Sequence, residues 1–394
     1  MVRFTIITAF PDFFREFLST SVVGRGVKDG LFEVEVVDLR SFGKGAYRQI
    51  DDYAFGSGGM VLMAEPVEEA LNSVQGDGKA FVVYPTPQGA LLTQEIVESL
   101  FHQPHVVIVC GHYEGLDERF IERRVDLEVT IGDCVLTGGE IPAMAVIDAV
   151  ARLIPGVVGR EEAVVEDSFY RGMLDHPHYT RPASWMGMDV PGVLSSGNFA
   201  EILDWRRKQA VIRTISRRPD LLSRSSLRGY MRGGFYVSFE YEPEQRHGVE
   251  RVKELAGLCE TYGVMRLLVV VKSPLDRETV RRTLKIDGSR FGKIKLMPSV
   301  DRTLDWVKER EKTAKDLTVV DVCDEAREGG VHWLELKRFI LENGGPVVFR
   351  FLRKGESGLE ENVCPVLAML PLEDGKLSFG GKFTAVLDRF LGSK

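Results

Sequence analysis

Two segments about twenty residues apart carry the densest chemistry in this chain. They are Val109-Cys110-Gly111-His112-Tyr113-Glu114-Gly115-Leu116-Asp117-Glu118-Arg119 and Ile131-Gly132-Asp133-Cys134-Val135-Leu136-Thr137-Gly138-Gly139-Glu140-Ile141-Pro142-Ala143. Each follows a short apolar run and turns through glycine into charged or helical sequence. Two such strand-to-turn corners side by side can make a cleft lined by backbone amides and carbonyls, a surface that grips a small, flat, polar ligand with few side chains. Four other polar groupings stand out. Glu166-Asp167-Ser168-Phe169 sits in irregular sequence, where a moving loop can carry a carboxylate onto a substrate, or where Asp167 or Ser168 can cap a helix. Arg152 closes a helical run, as a functional cation or as a complement to the helix dipole. Asp51-Asp52 precede a glycine-rich turn and read equally well as a simple loop. Asp175-His176-Pro177-His178 has metal-ligand residue types, but a proline separates the histidines and no partner is near in sequence. They read as structural or surface histidines, and no metal is assigned.

Common nucleotide signatures fail. Gly56-Ser57-Gly58 and Gly43-Lys44-Gly45 open like a dinucleotide fingerprint, but Val61 and Arg48 stand where its last glycine belongs. No phosphate-loop or HExxH string occurs. A net charge of −7 argues against nucleic acid as a partner. The distribution argues the other way. Between Trp205 and Arg232 lie Arg206, Arg207, Lys208, Arg213, Arg217, Arg218, Arg224, Arg228 and Arg232, against the single acid Asp220. The guanidinium fork suits phosphate oxygens; a solvated helix face is the plainer alternative.

The elements that must position these residues alternate. Strands are expected at Arg3–Thr8, Phe32–Asp38, Lys79–Tyr84, His105–Cys110 and Leu127–Ile131, and helices at Pro11–Leu18, Pro66–Val74, Thr93–Phe101 and Gly139–Leu153. This pattern implies an α/β fold, a parallel sheet with helices on both faces, whose ligands bind beyond the carboxyl ends of the strands. Residues 156–196 are punctuated by glycine and proline and read as a lid or linker. Helix returns from Gly197 to about Leu222, with Ile202, Trp205, Gln209 and Ile212 on one face, and Ser223–Gly234 reads as a linker. A second alternating series follows, with strands at Tyr236–Glu240, Arg266–Val271, Lys293–Met297, Thr318–Val322, Val347–Leu352 and Val366–Leu370. Its helices are expected at Val249–Tyr262, Arg277–Lys285, Val300–Glu311, Val331–Glu342 and Lys382–Leu391. No shared motif links the two series as sequence repeats.

At 394 residues the chain is too long for one core, so two or more domains are expected. No apolar run approaches the ~20 residues of a membrane span, and the first residues read as a strand rather than a signal segment. The five cysteines (110, 134, 259, 323, 364) are scattered and odd in number, which suits a cytoplasmic location and neither a disulfide framework nor a zinc site.

The first ~225 residues closely resemble the bacterial tRNA (guanine-N1)-methyltransferases, the TrmD family. The matching strings are Ile7-Thr8-Ala9-Phe10-Pro11, Tyr84–Gly89, the two corners above, Ile154-Pro155-Gly156-Val157, Glu166-Asp167-Ser168-Phe169, His178-Tyr179-Thr180-Arg181-Pro182 and Leu194-Ser195-Ser196-Gly197-Asn198. The resemblance implies a SPOUT fold with a deep trefoil knot, which general topology rules make a rare exception. It implies S-adenosylmethionine held by Tyr84, Pro87, Gln88, Gly89, Gly111, Tyr113, Glu114, Ile131, Gly132, Asp133, Cys134, Val135, Leu136, Gly138, Gly139 and Pro142; a Mg²⁺ requirement stays open. It implies a homodimer with the active site at the subunit interface. The tRNA surface it implies comprises Asp52, Arg181, Arg206, Arg207, Lys208, Arg213, Arg217 and Arg218. The implied domains are a knotted methyltransferase domain (1–160), a lid (161–196) and a basic helical tRNA-binding element (197–232).

The implied reaction is methyl transfer to N1 of the guanine just 3′ of the anticodon. That nitrogen carries a proton at neutral pH, so a carboxylate must accept it; by resemblance the base is Asp167. Charge then develops on guanine O6, where a cation stabilises it, and Arg152 matches that role. Glu114 completes the catalytic set. Two features depart from the family pattern: the glycine turn after Asp52 is about one residue shorter, and Cys134 stands where an aromatic is commoner. Residues 235–394 are similar to a second SPOUT-type RNA methyltransferase domain, on the helix ending Tyr262-Gly263, the turn Gly355-Glu356-Ser357-Gly358-Leu359 and the ending Phe383–Gly392. Its reduced donor corner marks it as degenerate, an aid to dimerisation or RNA docking. Two other readings remain open: a non-catalytic SPOUT-fold tRNA-binding protein, and a general nucleotide pocket.

Overall fold

The computed structural model describes residues 2–56, 58–75, 78–159, 167–169, 172–242, 248–286, 293–312, 317–322, 330–352, 366–369 and 378–392. Contacts divide the chain into two units, Met1–Glu166 and Asp167–Lys394. Glu166, Cys323, Cys364 and the 355–359 turn lie outside the described residues.

The first unit is built on a five-stranded parallel sheet of β1 (Arg3–Thr8), β2 (Glu33–Asp38), β5 (Phe81–Leu91), β6 (His105–Val109) and β7 (Leu127–Thr130). The order is β2-β1-β6-β5-β7. β1 and β6 are buried along almost their whole length because both faces of the sheet are covered, and β6 is accordingly a nearly continuous apolar run. Alternate residues serve opposite faces. Phe4, Ile6, Val106 and Ile108 pack with the apolar side of α6 (Glu140–Ala151), while Ile7, Val82, Val107 and Val109 pack with Val67 and Leu71 of α3 (Ala64–Gln75). Several elements go beyond the sequence expectation. Helices α1 (Arg15–Ser19) and α2 (Ser21–Lys28) follow a 3-10 turn at Pro11–Phe14, where one helix was expected. A hairpin of β3 (Asp51–Tyr53) and β4 (Met60–Leu62) flanks the glycine-rich turn that follows Asp52. β5 runs on through the Tyr84–Gly89 string, with a bulge between Pro85 and Ala90. Helices α4 (Gln94–Phe101) and α5 (Glu118–Arg124) complete the unit, and Asp117 caps α5 by accepting from Arg119 N at 3.0 Å.

In the second unit, α7 (Phe199–Arg217) follows a small hairpin of β8 (Ser184–Trp185) and β9 (Met188–Asp189) inside the segment read as irregular. The buried residues of α7 are Ala210, Val211 and Thr214, not the face expected; Ile212 is exposed. The expected linker after it is also corrected, because Leu227 and Met231 are buried in the unit's main apolar cluster together with Val211. Each such burial contributes roughly 1.5–3 kcal/mol, which a free linker would forgo.

That cluster lies against a six-stranded parallel sheet, ordered β12 (Ile294–Met297), β11 (Arg266–Val270), β10 (Phe235–Glu240), β14 (Val347–Phe351), β13 (Thr318–Val322), β15 (Val366–Met369). Around it run α8 (Gly248–Thr261), α9 (Pro274–Ile286), α10 (Val300–Glu311), α11 (Trp333–Asn343) and α12 (Phe379–Leu391), the last capped by Ser378. Without its edge strand β12, this sheet has the same order as the first one: second, first, fourth, third, fifth in chain sequence. The repeat is topological and left no motif in the sequence.

Candidate functional site

The two glycine corners meet. Beyond β6, Cys110 is buried and its N–H donates to Ile7 O at 2.9 Å, continuing the sheet into the turn. Beyond β7, Thr130 Oγ1 donates to Gly132 O at 2.9 Å and Cys134 N to Gly132 O at 2.8 Å, closing a tight loop. The corners are joined directly, since Gly139 N donates to Gly111 O at 2.9 Å. Side chains are excluded at this junction: a Cβ on Gly139 would lie 2.8 Å from Cys110 Cα, and one on Gly111 would lie 2.8 Å from the Tyr84 ring. Tyr84 is buried, and that burial raises its hydroxyl pKa. The β3–β4 hairpin is stitched to the first corner by Glu114 N to Met60 O (3.0 Å) and Leu62 N to Gly115 O (2.9 Å). Tyr113 adopts φ 59°, a conformation uncommon outside glycine, and leaves its ring exposed.

Around this junction the predicted ligand residues divide into floor and rim. Tyr84, Gly111, Gly139 and Pro142 are buried, with Gly89, Ile131, Gly132 and Gly138 half-buried. Pro87, Gln88, Tyr113, Glu114, Asp133, Cys134, Val135 and Leu136 are exposed. A backbone-lined floor with a rim that mixes apolar Val135 and Leu136 with polar Gln88, Glu114 and Asp133 suits a flat heterocycle with polar edges.

One network in the corner escaped the sequence reading. Thr8 Oγ1 donates to Glu140 Oε1 at 2.7 Å, and His112 Nε2 lies 2.8 Å from Glu140 Oε2, while the Phe10 ring covers the imidazole at 4.7 Å. Glu140 is 3% exposed, so its charge needs both partners. It ties the end of β1, the first corner and the start of α6 together. The available signal was an acid directly after Gly-Gly at the head of an otherwise apolar helix. Burial, and then the Glu140 carboxylate, push the neighbouring Cys110 thiol well up.

Arg152 does not join the junction. It is exposed at the C-terminal end of α6, whose 12 residues start at the junction; at 1.5 Å rise per residue that places it about 18 Å along the helix. Asp52 is exposed on β3.

In the second unit, Asp167 and Ser168 are half-buried. Ser168 Oγ accepts from Asp175 N at 2.9 Å, and Phe169 N donates to Met173 O at 2.8 Å. Leu174 N donates to Thr214 Oγ1 at 2.9 Å, pinning this loop to α7. Asp175 Oδ1 lies 2.6 Å from His176 Nδ1 and Oδ2 lies 2.7 Å from His178 Nε2, so the fold gives both histidines the partner that the sequence spacing hid. Burial raises the Asp175 carboxyl, but hydrogen bonds from His178 and His176 outweigh it and the net shift is downward. Burial lowers the His176 pKa. Along the basic stripe, Arg206 is half-buried and its Nε has no hydrogen-bond partner among the described residues. Arg207 and Arg217 are exposed and Arg213 half-buried, while Lys208 and Arg232 share Asp204. Arg218 pairs with Asp220 through two bonds of 2.9 and 2.6 Å and stacks over Phe169. Arg181 is exposed.

Residues 2–224 match the family model described as "tRNA (Guanine-1)-methyltransferase TrmD". The chain belongs to this family. Among its relatives named tRNA (guanine-N(1)-)-methyltransferase, the one from Ruminiclostridium cellulolyticum is 46% identical over 226 residues, which is 57% of this chain and 97% of the relative. That from Moorella thermoacetica is 44% identical over 260 residues (65% and 98%), and that from Magnetococcus marinus 48% over 231 residues (57% and 91%). The TrmD match thus takes in both glycine corners, the Asp167 loop and α7. Among the described residues no helix of this TrmD-family chain is long and apolar enough to cross a membrane.

Proposed function

We propose that this chain transfers a methyl group from S-adenosylmethionine to N1 of the guanine just 3′ of the anticodon in tRNA. The observation that carries this reading is the backbone junction of the two corners, Gly139 N to Gly111 O, inside a family match that spans it. When bound, the donor supplies an electrophilic methyl on a sulfonium that is its own leaving group. The residues fit it: a glycine floor too tight for a Cβ admits a flat ring edge-on to backbone groups, and Val135 and Leu136 offer apolar cover. In this reading the corners form part of a trefoil knot of the SPOUT type.

Asp167 takes the N1 proton, so that the nitrogen lone pair is free to attack. Arg152 meets the charge that develops on O6, and Glu114 lines the base-facing rim. The span of about 18 Å along α6 between the junction and Arg152 favours a homodimer in which one protomer holds the donor and its partner brings Arg152 and Asp167. The exposed cations Arg181, Arg207, Lys208 and Arg217 of this chain, with Arg206, Arg213 and Arg218, give phosphate contacts. The domain assignment follows the same reading: a donor domain at 1–160, a lid at 161–196, a basic element at 197–232, and a second SPOUT-like domain at 235–394. The strand order common to both sheets supports the last.

The test is mass spectrometry of tRNA nucleosides after incubation with purified protein and donor. We expect 1-methylguanosine at that one position. Absence of any methylated guanosine, or calorimetric preference for ATP over S-adenosylmethionine, would overturn the reading.

A further inference from the structure

We propose that Asp175, His176 and His178 bind one first-row divalent metal ion of the Zn²⁺/Co²⁺ class, and that this ion braces the loop carrying Asp167. The site itself is independent of the function proposed above; only the consequence for Asp167 rests on it.

The carboxylate of Asp175 faces both imidazoles at once, one through each oxygen, at 2.6 Å from His176 Nδ1 and 2.7 Å from His178 Nε2. One donor atom from each residue lies within 4.8 Å of the others, and the two rings are 4.4 Å apart between centroids. Zn²⁺ takes His nitrogen and carboxylate oxygen at about 2.0–2.2 Å, so small side-chain rotations close this set on an ion. Each ring then carries its proton on the other nitrogen, which leaves the facing lone pair free. Two imidazoles and one carboxylate suit Zn²⁺, Co²⁺ or Ni²⁺. Mg²⁺ prefers an octahedron of oxygens and retained waters.

The surroundings favour a held ion over a chance cluster. The His176 side chain is 10% exposed and fixed from the interior, whereas that of His178 is 71% exposed, leaving an entry path and room for waters in the open positions. The Asp175 backbone is bonded to Ser168 Oγ, the residue beside Asp167, and Leu174 is bonded to Thr214 on α7. An ion on Asp175 therefore stiffens a covalent and hydrogen-bonded path of few atoms to Asp167. Arg206 is the nearby cation whose charge reaches His176, so the ion is held less tightly than in an all-anionic cage.

The experiment titrates the purified, metal-stripped full-length protein with CoCl₂, read by visible d–d absorption, and with ZnCl₂, read by calorimetry, without donor or tRNA. We expect one ion per chain, unaffected by excess Mg²⁺. His176→Ala and Asp175→Asn should each weaken binding by about tenfold or more, as loss of a ligand or its support does, and His178→Ala likewise. Melting without metal guards against misfolded variants; if His176→Ala does not fold, His176→Gln and His178→Ala carry the test. Unchanged metal binding in the folded variants, or no stoichiometric Co²⁺ uptake by the parent, overturns the site. Hydrogen exchange at Ser168 and Asp175 should slow when the ion binds. Uptake without slowing overturns the bracing while leaving the methyl-transfer reading intact, because that is read from tRNA nucleosides.

Discussion

Gly139 donates its backbone N–H to the carbonyl of Gly111 at 2.9 Å, so the corner after β7 rests directly on the corner after β6. A Cβ on Gly139 would meet Cys110 Cα at 2.8 Å and Gly111 N at 2.9 Å, both backbone atoms that cannot swing aside. Gly139→Val should therefore open the junction at a cost of about 1–3 kcal/mol. Calorimetry with S-adenosylmethionine should show affinity reduced by about tenfold or more, since 1.4 kcal/mol is a factor of ten. Unaltered donor affinity would separate the junction from the donor site.

Asp167→Ala should abolish methyl transfer, with a loss of about 10²–10⁴-fold, and leave donor binding intact. Because Arg152 sits about 18 Å along α6 from the junction, an interface site has a sharper consequence. In the proposed homodimer, refolding equal amounts of Asp167→Ala and Gly139→Val, assayed at a donor concentration too low to load Gly139→Val, gives mixed dimers in which one protomer keeps the donor corner and the other keeps Asp167. Half the dimers are mixed and each has one working site, so about a quarter of parent activity should return. No recovery would mean that each chain works alone.

Arg350 and Asp321 face each other across β14 and β13, joined by bonds of 2.7 and 2.6 Å and both nearly inaccessible. Arg350→Met should destabilise the second unit by about 3–5 kcal/mol, because it takes the bidentate guanidinium away from a buried carboxylate. The double change Arg350→Met with Asp321→Leu should recover most of that loss in urea unfolding. Equal losses for the single and double variants would refute the charge explanation.

Lys337 is completely buried on α11, donating to Ser225 O and to Arg389 O at 2.7 Å, beside the Trp333 ring. Burial lowers its pKa from 10.5 to about 8. Between those values the unfolded chain holds a proton that the folded chain has released, so stability from this group rises with pH across that window. Below it both states are protonated and the burial penalty is paid in full. Denaturation midpoints across the window should climb in the parent, and Lys337→Met should flatten the climb. A steeper climb in the variant would contradict the assignment.

Much of the molecule is legible in the residues. Runs such as His105–Val109, short, β-branched and apolar, read as strands buried on both faces, and the Gly-rich corners announce close backbone approach before any partner is known. The hairpin at Asp51–Leu62 was not legible, because its strands are three residues each and owe their pairing to Glu114 and Gly115. Nor was the buried face of α7: Val211 and Thr214 point inward because Leu227, Met231 and the second sheet lie there, and helical periodicity alone cannot say which apolar stripe meets a neighbour.

Local sequence thus determined most of the long elements, the glycine floor and the residue types that proton removal from a base would need, since backbone sterics and periodicity act within a few residues. Tertiary structure alone decided that Gly139 meets Gly111, that Glu140 is held by Thr8 and His112, and that one carboxylate faces two histidines. These depend on where strands distant in sequence lie side by side. That choice is made by burial summed over the whole sheet, which no short stretch of residues encodes.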